Sequence, residues 1–202
     1  MERTTGVAAQ NPHRPLIWNI PNLITLFRIA AIPFVVLFLF FTGPLASFLA
    51  ALFFSAASLT DLLDGYIARQ QNSETPIGKL LDPLADKLLI NSAFIMLIPL
   101  GRVPAWVVVL IVGREVAVTG LRGIASLEGL AIAASRWGKA KMIFQTIALI
   151  GLMLHYEYLG INFHSLGMLI LWVALAITIW SGVDYFNKFY GEHRKIAKEG
   201  KS

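Results

Sequence analysis

The sequence of 202 residues contains no cysteine, and only 14% of it is charged. The first absence excludes a disulfide scaffold and leaves the cellular compartment open. The second argues against a water-soluble globule, since soluble domains run near 25% charged residues. Acids are the scarcer sign: 12 Asp and Glu face 17 Lys and Arg, a net charge of +5. A basic surplus in a polar chain would suggest nucleic acid as a partner. Here the chain is 56% hydrophobic, which excludes disorder and points to a bilayer protein with no nucleic-acid role. Internal repeats and low-complexity segments are also missing, and the length suits one domain.

A helix needs about 20 mostly apolar residues to cross the hydrocarbon of a bilayer. Six stretches meet that test: Asn22 to Phe41, Leu45 to Ala68, Ile77 to Leu100, Pro104 to Ser126, Gly138 to Glu157 and Ser165 to Phe189. Breaker turns at Gly43-Pro44, at Gly101 with Pro104, and at Gly160 to Asn162 separate them. The expected fold is all-α, a membrane bundle of six transmembrane helices. Residues 1–14 read as a disordered polar N-terminus unlike a signal peptide, and residues 15–202 as one catalytic domain with a short basic C-terminal tail. Alternating the connections places every Lys and Arg except Arg102 on one side. The positive-inside rule then sets both termini in the cytoplasm of a multi-pass protein. The tail, with Lys188, Arg194, Lys195, Lys198 and Lys201, lies against anionic membrane lipids.

Ionisable residues within apolar spans are costly and mark function by default. Asp61 and Asp64 end the second span three residues apart, and Asp82 and Asp86 open the third four apart. Each pair shares a helix face. The link Gln70 to Thr75 is short enough to make the two helices antiparallel neighbours, so all four carboxylates converge at one depth. Such a cluster repels itself unless a cation holds it together. Oxygen ligands without His or Cys point to Mg²⁺ or Mn²⁺, and two divalent ions suit displacement at phosphorus. Gly65 and Gly78 remove bulk where a ligand or backbone approaches, and Arg69 can grip a phosphate. A cation path in a transporter is the competing use of these aspartates, but Glu115, Glu157 and Asp184 stand singly and form no ladder across the bilayer. Pro83 starts or bends the third helix.

The pattern Asp61-x2-Asp64-Gly65-x2-Ala68-Arg69-x8-Gly78-x3-Asp82-x3-Asp86 resembles, in every residue type and spacing, the signature of the CDP-alcohol phosphotransferase family. The resemblance implies transfer of a phosphatidyl group from CDP-diacylglycerol to an alcohol with release of CMP. It implies that Asp61, Asp64 and Asp82 bind metal, and that Asp86 both ligates metal and acts as general base. It implies a CDP-diacylglycerol site lined by Gly65, Ala68, Arg69 and Gly78 beside Asp61 and Asp82, and a homodimer. Ala46, Ala50 and Ala57 are small enough to permit close helix contact in such a dimer.

The acceptor is read from cations. Arg114, Arg122, Lys139 and Lys141 gather near the carboxylates and suit a second anion, such as an acceptor's phosphate monoester. Asn22-Leu23-Ile24-Thr25-Leu26-Phe27-Arg28, Gly113-Arg114-Glu115 and Gly138-Lys139-Ala140-Lys141 with Gln145 resemble the bacterial branch of the family that makes phosphatidylglycerol phosphate. That implies glycerol 3-phosphate as acceptor and a site facing the cytoplasm from the bacterial inner membrane. Inositol phosphate, serine and phosphatidylglycerol are the alternative alcohols. Met142 departs from the branch, where many members carry Thr. Asn22, Thr25 and Arg28 form a polar stripe, with Arg28 as a further phosphate contact and Asn22 as an alternative helix N-cap. Glu115 is expected to orient Arg114 or Arg122, and Asp184 to pair with Lys188. His155 and His164 look isolated and receive no chemistry, while Trp106, Trp137, Trp172 and Trp180 read as interface anchors.

Overall fold

The computed structural model describes residues 20–71, 76–129 and 136–199, which form six helices and one small hairpin. The helices are α1 (Ile20–Phe40), α2 (Pro44–Gln71), α3 (Pro76–Leu97), α4 (Ala105–Leu127), α5 (Arg136–Leu154) and α6 (Phe163–Glu199). Between α5 and α6, β1 (Glu157–Tyr158) pairs antiparallel with β2 (Ile161–Asn162). The fold is therefore all-helical apart from this hairpin. α1 packs on α2 and α3, α5 on α2 and α6, and α4 on α6.

The core is continuous and apolar, built on Leu39, Phe54, Phe94, Leu97, Leu149, Leu152 and Leu171. Its surface is apolar as well. Phe34, Leu37 and Phe40 on α1, Val109 and Val116 on α4, and Leu169, Trp172 and Trp180 on α6 are all exposed. Polar groups are instead drawn inward, with Thr25, Ser47, Gln145, Thr178 and Ser181 buried. Soluble monomers rarely expose so much contiguous apolar surface, whereas lipid favours it. Among the described residues, Leu23–Phe40 and Phe163–His193 are long and apolar enough to cross a bilayer.

Several local expectations change. α1 begins at Ile20, so Asn22 lies inside its first turn rather than capping it; Pro21 just inside the start needs no N–H donor there. Pro83 does not start α3 but sits within it. The basic C-terminal segment is helical in its described part, since α6 continues to Glu199. The Lys188–Asp184 pair at 2.7 Å, one turn apart, supports that continuation. Ala50 and Ala57 are fully buried inside the chain, so they serve the intramolecular helix packing and not a contact between subunits. The expectations for residues 1–14 lie outside the described residues.

The end of the bundle holding the hairpin is tied by groups that the sequence left unassigned. Leu159 and Gly160 both have positive φ, 54° and 77°, as a two-residue hairpin turn of this twist requires. The Tyr158 hydroxyl donates to Pro44 O at 2.9 Å, and Asn162 Oδ1 accepts from Ser165 N at 2.9 Å, capping α6. Arg102, the lone basic exception in the topology count, is a buried strut. It donates to Met153 O at 2.8 Å and to Ser47 Oγ at 2.9 Å.

His155 and His164 are not isolated: their Nδ1 atoms lie 3.2 Å apart. Partial burial pushes the His155 imidazole below its usual value, and the nearby Arg102 and His164 push in the same direction. The fold thus prefers neutral His155, and the unfolded chain takes up the proton first. That stabilisation is present above pH 6.5, the ordinary imidazole value, and is lost as pH falls through the lower folded value. Thermal unfolding between pH 7.5 and 5 is expected to show a falling Tm that His155→Asn flattens. An equal slope in the variant would remove His155 as the cause.

Candidate active site

α3 carries Asp82 and Asp86 one helical turn apart, both partly buried. The Thr25 hydroxyl of α1 donates to Asp82 Oδ1. Thr25 and Arg28 are both buried, so the polar stripe of α1 faces the bundle beside the aspartate helix. Asp61, Asp64, Gly65, Ala68 and Arg69 occupy the C-terminal turns of α2, and Gly78 the first turn of α3. The side chains of residues 61–80 lie outside those described. The two helices touch, and four residues separate them along the chain.

The four motif aspartates, Asp61, Asp64, Asp82 and Asp86, offer a hard oxygen donor set suited to Mg²⁺ or Mn²⁺. Asp82 also has a hydroxyl partner that fixes its orientation. Among the described residues no three His, Cys, Asp or Glu side chains gather; Asp61 and Asp64 are not among those side chains.

Asp86 lies at the meeting point of two cavities of opposite character. One is a groove of about 610 Å³ between α2 and α5, lined by Leu59, Ile143, Ile147 and Ile150, with Ser55, Ser58 and Lys139. The other is narrow, about 30 Å³, the room of roughly one water. It is lined by Asp86, Lys87, Asn91, Glu115, Lys141 and Gln145 with apolar neighbours. Met142, the departure noted above, lines both. A further apolar groove of about 460 Å³ runs along α1 from Leu23 to Ala30 and reaches Thr60, one residue before Asp61.

The cations divide into two groups. Inside the bundle, Arg114 donates to Glu115 Oε2 at 3.2 Å and to Ser181 Oγ at 3.0 Å. The buried Lys141 ammonium donates to the same Glu115 oxygen. Glu115 therefore pairs with Arg114 and Lys141; Arg122 sits elsewhere, its guanidinium 5.9 Å from the Tyr185 ring centre. Arg122 and Lys139 are exposed, free to meet a ligand from solvent. Arg28 is buried on α1, apart from the α4–α5 group.

Sequence reasoning missed the contribution of α6. Ser181 accepts from Arg114, and Thr178 accepts from Gln145 Nε2 at 3.1 Å. The Tyr185 hydroxyl is buried and has no hydrogen-bond partner among the described residues. These residues recur every three or four positions along one face of α6. That periodicity was visible in the sequence, but it was hidden in a helix whose apolar residues dominate.

The family model for CDP-alcohol phosphatidyltransferase matches residues 18–180. Among curated proteins, the CDP-diacylglycerol–glycerol-3-phosphate 3-phosphatidyltransferase of Bacillus subtilis is 44% identical over 187 residues, covering 85% of this chain and 95% of the relative. The protein of that name from Rickettsia bellii is 43% identical, covering 83% and 93%. That from Haemophilus influenzae is 35% identical, covering 83% and 91%. A family match over most of the chain, with relatives aligned almost end to end, settles the membership: this chain belongs to the CDP-alcohol phosphatidyltransferase family.

Proposed function

We propose that the chain transfers the phosphatidyl group of CDP-diacylglycerol to glycerol 3-phosphate, giving phosphatidylglycerol phosphate and CMP. The names of the relatives support the substrates. The observation that carries the reading is the position of Asp86. It lies where an apolar groove of lipid dimensions meets a pocket holding Glu115 and Lys141, with exposed Lys139 beside it. A lipid donor can reach this carboxylate along the groove, and a small anionic acceptor can meet Lys139 on the wall of the same groove, with Lys141 behind it in the narrow pocket.

In this reading six helices span the bacterial inner membrane, both termini are cytoplasmic, and residues 15–202 form one domain that pairs as a homodimer. The apolar exterior and the basic cytoplasmic connections support it. Two divalent ions held by Asp61, Asp64, Asp82 and Asp86 would neutralise charge on the pyrophosphate and on leaving CMP. Gly65, Ala68, Arg69 and Gly78, with Asp61 and Asp82, receive the cytidine diphosphate. Arg122 and Lys139 approach the acceptor phosphate from the exposed side, with Arg114 and Lys141 behind them, and Arg28 would meet a phosphate from the α1 side. Asp86 takes the proton of the acceptor hydroxyl as its oxygen bonds to phosphorus and the bond to CMP breaks.

The test is CMP release by purified protein with CDP-diacylglycerol, Mg²⁺ or Mn²⁺, and single alcohols. Glycerol 3-phosphate is expected to support turnover. CMP only with serine, inositol phosphate or phosphatidylglycerol would overturn the acceptor, and none with any alcohol would overturn the reaction. Arg122→Ala and Lys139→Ala are each expected to raise the acceptor KM about tenfold with the donor KM unchanged. Unchanged acceptor KM in both would leave these cations a topological role alone.

A further inference from the structure

We infer that Glu115 is the positioning residue of the acceptor site: it holds Lys141 and Arg114, charged and in fixed places, beside Asp86. The inference rests on the acceptor reading above and adds a residue to it. α4, α5 and α6 each bring one part. Glu115 on α4 accepts from Lys141 on α5 and from Arg114, and Arg114 is held in turn by Ser181 on α6. Arg114 is also packed from behind, because a Cβ on Gly182 would meet its Cγ at 3.1 Å.

A buried ammonium without a counter-charge costs several kcal/mol. Lys141 is buried, so alone it would give up its proton or swing toward solvent. Glu115 removes both options. Lys141 and Lys87 in the pocket, with Arg114 paired behind Glu115, bring three positive charges against the two carboxylates Glu115 and Asp86, a surplus of one. That surplus is what a phosphate arriving in the adjoining groove, beside Lys139, can neutralise. Besides Asp86, Glu115 is the only carboxylate among the described residues that line this cavity, and the cavity leaves room for little more than a water. Glu115 therefore acts through the cations and not on the reacting atoms.

The test is steady-state CMP release by the full chain, varying glycerol 3-phosphate and CDP-diacylglycerol separately. Glu115→Gln keeps the shape and removes the charge. It should raise the acceptor KM at least tenfold, change kcat less than threefold and leave the donor KM alone. Glu115→Asp should recover most of the loss. If the ion pair is the route, Glu115→Gln should add little to Lys141→Met, because the two share one interaction. An unchanged acceptor KM, an equal fall in kcat with both KM values fixed, or full additivity with Lys141→Met would each overturn the inference. Should Glu115→Gln alone fail to fold, the double variant, which leaves no lone ammonium, still reports whether the two effects overlap. Failure of the acceptor reading is separate: it shows in the unaltered chain as no CMP release with glycerol 3-phosphate.

Discussion

Asp86→Asn is expected to lower CMP release by about three orders of magnitude, the middle of the range for removal of a general base. The substitution keeps the size and hydrogen-bonding reach of the side chain and removes its ability to take a proton. Asp86 lines both the apolar groove and the narrow cationic cavity, so no other described carboxylate is placed to serve both substrates. Glu115 lines the narrow cavity and is engaged by two cations, and Asp82 accepts the Thr25 hydroxyl. Donor binding should survive in part, because the groove wall formed by Leu59, Ile143 and Ile147 is untouched. The measurement is single-turnover CMP formation together with equilibrium binding of CDP-diacylglycerol. Turnover within tenfold of the unaltered chain would remove Asp86 from the base role. Lost binding with lost turnover would assign it to holding the donor.

The helices were legible in the sequence because apolar runs of about 20 residues leave few other folds, and the turn glycines mark their ends. What the sequence could not give is which polar residue meets which across the bundle. Thr25 meets Asp82 from a position 57 residues away, and nothing in the spacing of α1 identifies a partner on α3. Arg102 shows the same limit in reverse. As a bare charge it was an exception to the topology rule, yet its partners are the Met153 carbonyl and Ser47. The histidines looked isolated because they are nine residues apart with no helical relation, and only the β1–β2 hairpin folds them together. Aspartate spacing, by contrast, is a local property of two helices, so the motif could be read directly. The cation set lay between these cases. Its members were found by type and place, but its division into a Glu115-bound pair and two exposed residues needed the packing of α4 against α6.

The largest stability effect is expected at a position with no chemistry. Gly167 of α6 faces Gly151 of α5, and a Cβ on Gly167 would lie 2.7 Å from Leu152 N and 2.9 Å from the Gly151 carbonyl carbon. A Cβ on Gly151 would meet Gly167 Cα at 2.9 Å. Both neighbours are helix backbone, which cannot swing aside as a side chain can, so the helices must separate. Gly167→Ala is expected to cost about 3 kcal/mol, the upper range for overpacking. That exceeds the gain of about 1 kcal/mol from replacing glycine within a helix. For a chain of this size the net loss lowers Tm by roughly 4–8 °C. Gly191→Ala is the control: it is also helical, its Cβ meets nothing within 4 Å, and its Tm should hold or rise slightly. Equal Tm values for the two variants would mean that α5 and α6 do not cross as closely as this. If they do, the crossing also matters for the site. Gln145 on α5 is bonded to Thr178 on α6, and Arg114 reaches Ser181 on that same helix. Separating α5 from α6 would therefore move Lys141 relative to Arg114. Gly167→Ala should raise the acceptor KM even though it lies at the opposite end of the bundle.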